Sequence, residues 1–157
     1  MNLTSSTFFY ILINGVPSRP FSPTRGIRQG DSLSPFLFII MAEGLSCFIQ
    51  ASIAEKTLSG LPLHGIDPPV SHSQFVDDTL MMGSPTVQEA HKILHILQTF
   101  CDASGMDINR DKSHIFFFNT PVPVQLHITT ILDFTCRSLP SKYLGILLDF
   151  TRRSLPY

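Results

Sequence analysis

In the middle of the chain, Ser73-Gln74-Phe75-Val76-Asp77-Asp78-Thr79-Leu80-Met81-Met82 sets two adjacent carboxylates between two short, apolar, β-prone runs. Two such runs joined by a tight bend read as a β-hairpin, and this one would present both acids at its tip. Carboxylates about 5 Å apart repel by roughly 3 kcal/mol in a half-buried site and by under about 1 kcal/mol in open water. The hairpin therefore either gives its acids to solvent or recruits a cation. Magnesium suits the second course, because it takes carboxylate oxygens and keeps positions open for water and phosphate. The first course is an ordinary solvated turn, since Asp is itself a favoured turn residue. The ten residues alone leave both open.

At 157 residues, 43% hydrophobic and 15% charged, the chain suits one globular domain with a usable core. A formal net charge of -1 withholds the basic excess of an autonomous nucleic-acid binder. Charge is nevertheless uneven. Arg19, Arg25 and Arg28 precede the first acid, while residues 67–111 are locally acidic, a division compatible with phosphate on one side and metal on the other. Cys47, Cys101 and Cys136 are odd in number, widely spaced and in no CxxC pair, which points to reduced core residues rather than disulfides or zinc. The N-terminus has no basic n-region and its apolar run, 8–13, is too short for a signal peptide. The longest apolar run, 36–42, is broken by Glu43 and Gly44, short of the roughly twenty residues a bilayer demands. The expectation is an intracellular protein with no transmembrane helix and no membrane partner.

Taken in order, residues 8–13 read as a strand, Asn14-Gly15 as a two-residue hairpin turn, and 16–21 as a returning strand whose Pro17 and Pro20 mark an edge. So apolar an opening strand asks for partners. Thr24-Arg25-Gly26-Ile27-Arg28-Gln29-Gly30-Asp31 joins two glycines to two arginines and an amide. Such a loop lets backbone approach a ligand while guanidinium groups meet phosphate, and it reads equally as a plain glycine turn. Ser34 as N-cap and Pro35 at the first helical position start a helix running to about residue 54. Being apolar on most faces, it should be buried, with Glu43 a structural residue that needs a partner or an exit to water. Residues 58–69 read as loop with a short extended piece.

Ser84-Pro85 repeats the helix start, and Val87, Ala90, Ile93, Leu94, Leu97 and Cys101 share one helical face before Gly105 ends it. His91 and His95 lie four apart without a third ligand in pattern, and are expected to be solvated. Residues 107–113 form a polar turn into a strand at 114–118, with Lys112 either reaching a phosphate or simply exposed. Residues 121–134 carry weak helical periodicity, and 141–148 read as a strand with Gly145 inside it.

Ile13-Asn14-Gly15; Arg25-Gly26-Ile27-Arg28-Gln29-Gly30-Asp31-Ser32-Leu33-Ser34-Pro35 with Phe36-Leu37-Phe38; Phe75-Val76-Asp77-Asp78; Ser104-Gly105-Met106-Asp107-Ile108-Asn109 with Lys112-Ser113; and Tyr143-Leu144-Gly145 follow one another in a set order. In that order and at that spacing the chain resembles the palm of the non-LTR, LINE-type retrotransposon reverse transcriptases, those of plants especially. The resemblance implies an α+β fold, a partial palm with an antiparallel sheet packed on two helices. Residues 1–150 would carry motifs B to E and 151–157 a tail. It makes Asp77 and Asp78 the acidic pair of motif C, with Asp77 the direct magnesium ligand. Arg28, Gln29 and Gly30, with Asp31 beside them, match motif B, which lines the incoming nucleotide and template base. Lys112 falls where motif D places a lysine near the departing pyrophosphate. Tyr143, Leu144 and Gly145 match the turn that grips the primer strand in motif E. The implied chemistry is attack of a primer 3′-hydroxyl on a nucleotide α-phosphate with two metals assisting, and the implied partners are RNA template, DNA primer and deoxynucleotides.

Three features depart from the pattern. Ser32 stands where the family usually has Pro, and Val76 where it usually has Ala. The family's first metal-binding aspartate, in motif A, belongs upstream of the opening hairpin, where residues 1–7 hold no acid. The expectation is thus a retrotransposon-derived fragment of an RNA-directed DNA polymerase, with ancestral Mg2+ dependence and no activity by itself. Two other readings are a non-enzymatic remnant that binds nucleic acid through Arg19, Arg25 and Arg28, and an open reading frame whose product has no selected role.

Overall fold

The computed structural model describes residues 8–23, 26–63 and 66–148. It opens with a narrow antiparallel ribbon of β1 (Leu12–Ile13) and β2 (Val16–Pro17), extended by a bridge between Phe9 and Phe21. Asn14 and Gly15 both take positive φ, 49° and 83°, as the expected two-residue turn requires.

Helix α1 (Ser34–Ala54) follows. The expected cap is displaced by one residue: Leu33 holds the N-cap position without a side-chain bond, and the Ser34 hydroxyl instead donates to the Arg28 carbonyl at 2.6 Å. Asp31 takes over the local capping, its Oδ1 accepting from Leu33 N at 3.0 Å. Nor is α1 buried all round. Leu45, Ile49 and Ser52 are buried, but Phe36, Ile39 and Ile40 are 65%, 62% and 67% exposed. Glu43 exits to water on the helix surface, where its Oε1 accepts from the Cys47 thiol at 3.9 Å. Contrary to the expected break at Glu43 and Gly44, α1 runs on unbroken and is long and apolar enough to cross a membrane by length and composition. A core helix passes the same test, and one side of α1 does pack into the protein.

Beyond it lie β3 (Leu61–Leu63) paired with β4 (Ile66–Val70), then β5 (His72–Phe75) paired with β6 (Asp78–Met81). Helix α2 (Val87–Ser104) starts at Thr86, not at Ser84. The Thr86 hydroxyl accepts from Glu89 N at 3.2 Å while Glu89 Oε2 accepts from Ser84 N at 3.0 Å, so the buried glutamate closes the helix start. Gly105, at φ 70°, ends α2 as expected. His91 and His95 lie exposed on it, as expected.

β7 (His114–Phe116), α3 (Val122–Leu132) and β8 (Thr135–Arg137) form a crossover unit whose strands pair in parallel, His114 opposite Thr135. β9 (Ser141–Tyr143) and β10 (Ile146–Leu148) complete the described chain as a hairpin, so residues 141–148 are two strands and not one. Leu144 and Gly145, at φ 51° and 79°, make its turn.

The α+β class is borne out. The expected antiparallel sheet on two helices is, among the described residues, five two-stranded sheets, one of them parallel, with three helices. Two small cores hold it together. Leu45, Ile49, Leu58 and Ile96 join α1 to α2, with Met81 of the acidic hairpin packed against them; Ala90, Ile128 and Leu132 join α2 to α3. The cysteines are free, but Cys47 and Cys136 are exposed and only Cys101 is partly covered, which corrects their expected place in the core.

Candidate active site

β5 and β6 pair in tight register, His72 with Met81, Ser73 with Leu80, Gln74 with Thr79 and Phe75 with Asp78, so that Val76 and Asp77 alone make the turn. Asp77 sits at the bend and Asp78 opens β6, both exposed. Of the two turn residues only Val76 has positive φ, 52°, the pattern of a II′ turn in which glycine is the usual occupant. A β-branched residue there stores backbone strain of about 1 to 3 kcal/mol. Neither carboxylate forms an ion pair or hydrogen bond with a described side chain. Hard oxygen donors, adjacent and unneutralised, fit a divalent cation of the magnesium type. Among the described residues no group of three His, Cys, Asp or Glu side chains gathers there or elsewhere.

The hairpin is held on two sides. Opposed residues share a sheet face, so His72, Gln74, Thr79 and Met81 turn to one side. His72 and Gln74 meet Ser46 of α1: Ser46 Oγ lies 2.9 Å from His72 Nε2 and donates to Gln74 Oε1 at 3.2 Å. On the ladder's backbone, the Tyr143 hydroxyl of β9 donates to the Ser73 carbonyl at 3.4 Å. The expected primer-grip hairpin and the acidic hairpin are thereby in contact. Arg28 and Gln29 are exposed in the turn before α1, and Gly30 takes φ 85°, a conformation glycine permits. Asp31 N and Ser34 Oγ both donate to the Arg28 carbonyl, which ties this turn to the start of α1. Arg25 lies outside the described residues. Lys112 is exposed in the turn before β7 and makes no side-chain hydrogen bond or ion pair to the acidic tip.

Residues 2–148 match the family model described as reverse transcriptase (RNA-dependent DNA polymerase). The chain belongs to that family. The reverse-transcriptase resemblance drawn from the motifs is thus borne out. The domain is similar to an uncharacterized mitochondrial protein of Arabidopsis thaliana, 42% identical over 73 residues, which are 45% of this chain and 60% of the relative. It is also similar to the uncharacterized 149 kDa protein of transposon TX1 of Xenopus laevis, 27% identical over 136 residues, 87% of this chain and 10% of the relative. The chain therefore spans less than two thirds of either protein.

An open cleft of about 500 Å³ in this reverse transcriptase domain lies away from the hairpin, lined by Arg110, Asp111, Thr129, Asp133, Phe134 and Thr135. Two of its charged side chains meet: Arg110 pairs with Asp133 at 2.8 Å and lies 6.0 Å over the Phe134 ring. The residues that sequence reasoning missed are Ser46, His72 and Gln74. Their only local signal is the two-residue spacing of His72 and Gln74, which puts both on one strand face. The serine that meets them is remote in the chain.

Proposed function

We propose that this domain is part of the RNA-directed DNA polymerase of a non-LTR retrotransposon, in which Asp77 and Asp78 hold magnesium beside the incoming deoxynucleotide, and that it does not copy RNA by itself. What supports the reading is the tip itself: two adjacent, exposed carboxylates, unpaired among the described residues, on a hairpin in tight register. Bound there, magnesium would steady the entering and leaving oxygens of phosphoryl transfer. Arg28 offers its guanidinium to phosphate, and the Gln29-Gly30 backbone gives a close surface for the nucleotide and template base. Lys112 neutralises the departing pyrophosphate, and Tyr143, Leu144 and Gly145 bear on the primer strand. A two-metal site needs ions about 3.5 to 4 Å apart, held by bridging carboxylates. One hairpin tip is a poor holder for both, so a further acid from another segment or chain completes the site.

Primer extension with magnesium, on the purified protein and on Asp77→Ala, tests this. No extension is expected from either. Extension that the substitution abolishes would overturn the claim of inactivity, while retaining the role of Asp77. The second reading, a non-enzymatic nucleic-acid binder, draws on the exposed Arg19 and Arg28. It requires RNA or DNA binding that weakens steeply as salt rises.

A further inference from the structure

With a neutral His72 ring, the polar cluster between α1 and β5 has one self-consistent arrangement of protons. Gln74 Oε1 can only accept, so it takes the proton of Ser46 Oγ at 3.2 Å. Ser46 Oγ must then accept from His72 Nε2–H at 2.9 Å. That leaves His72 Nδ1 bare, and it accepts from the Ser71 hydroxyl at 2.9 Å. Both ring nitrogens of His72, the hydroxyls of Ser71 and Ser46 and the Gln74 Oε1 are bonded, and all bonds run in one direction. At its other end α1 is tied by Ser34 Oγ to the Arg28 carbonyl.

We infer that Ser46, His72 and Gln74 are positioning residues: they fix the hairpin bearing Asp77 and Asp78 on α1, and so hold it in place relative to the Arg28 turn at the start of that helix. The functional consequence rests on the reading of the two acids as cation holders; the clamp itself does not. Apolar packing of Met81 alone would seat the hairpin without fixing it along the helix, because apolar contacts are not directional. The three hydrogen bonds across the interface and within the cluster supply that direction. Burial pushes the His72 imidazole pKa down and Glu43 of α1 pushes it up, with burial the larger effect, which favours the neutral ring on which this proton arrangement is built.

The experiment uses the full chain and the substitutions Ser46→Ala, His72→Asn and His72→Gln. A glutamine amide nitrogen reaches the place of Nε2, whereas an asparagine amide does not. Amide hydrogen exchange of the β5 and β6 ladder, read against α2 amides of the same sample, is expected to speed up by about three- to tenfold in Ser46→Ala and His72→Asn, the effect of losing one or two net hydrogen bonds. His72→Gln should return exchange close to the original rate. Ladder exchange unchanged in both Ser46→Ala and His72→Asn, or equally fast in His72→Gln and His72→Asn, would overturn the clamp. So would imidazole nitrogen spectra showing the proton on Nδ1. With manganese as the probe, uptake at Asp77 and Asp78 should weaken in His72→Asn and recover in His72→Gln; equal uptake in every variant would overturn the positioning role. An original chain that takes up no manganese overturns the cation reading instead, and exchange then decides the clamp alone.

Discussion

Val76 holds its side chain at φ 52° in the bend before Asp77, where an L-residue with a branched β-carbon crowds its own backbone. Glycine would relieve strain of about 1 to 3 kcal/mol. It would also lose about 0.4 to 1 kcal/mol by loosening the unfolded chain. The strain is the larger, so Val76→Gly should stabilise the fold by roughly 1 kcal/mol, read as a higher urea midpoint. A lower midpoint would mean that the bend is not strained. Four residues upstream, His72 makes a second prediction. Its pKa is depressed in the folded protein, first by burial, with Glu43 on the neighbouring helix opposing. The unfolded chain then binds more protons than the folded one between the two pKa values, so stability rises with pH through that window. The contribution is complete above the ordinary histidine value of about 6.5 and is lost as pH falls toward the folded pKa. Urea midpoints measured from pH 7.5 down to 5 should decline more in the original chain than in His72→Gln; parallel curves would assign the acid sensitivity to other groups.

Among the elements, what was legible in the sequence is what neighbouring residues decide. Asn14-Gly15 makes its turn because both residues tolerate positive φ, Gly105 ends α2 for the same reason, and the two-residue bend before Asp78 follows from apolar runs on either side of it. The acidic pair at the hairpin tip was therefore readable from ten residues. The helix starts were read one and two residues away from their true caps, because Ser34 and Ser84 spend their polar groups on Arg28 and on Glu89 and Ser59 instead of on the first turn. The Leu144-Gly145 bend is implied by the family resemblance but not by the local pattern, which reads as an unbroken strand because a leucine at positive φ gives no turn signal. Parallel pairing of β7 with β8, and the reach of Ser46 to His72 across 26 residues, depend on tertiary packing that no local pattern encodes. How strongly that packing is held is testable at Ile49, fully buried where α1 meets α2. Ile49→Ala should cost about 2 to 5 kcal/mol in a chemical-denaturation curve. It should cost the hairpin as well, because Met81 packs into the same cluster. A loss below about 1 kcal/mol would show that the site collapses around the cavity.

For the molecule as a whole, the balance of buried and exposed apolar groups sets the behaviour. Among the described residues seven apolar side chains are buried, whereas Phe36, Ile39 and Ile40 on α1 and Leu12, Ile13 and Val16 on the opening ribbon are each more than 60% exposed. At about 100° per residue, Ile40 lies half a turn around α1 from Ile49, so the helix has one face in the core and an opposite apolar face in water. Phe36, Ile39 and Ile40, spaced by three and four, form a contiguous stripe on that outer face, and exposed apolar stripes of this kind drive association. The pair Phe36→Lys and Ile40→Lys should leave the folding free energy within about 0.5 kcal/mol per substitution, as expected for surface positions, while suppressing self-association in a sedimentation-velocity concentration series. A matching pair on the ribbon, Leu12→Lys and Val16→Lys, separates the two surfaces. If the ribbon pair alone abolishes association, the helix face is not the adhesive one. If neither does, the exposed apolar residues are not what brings copies of this domain together.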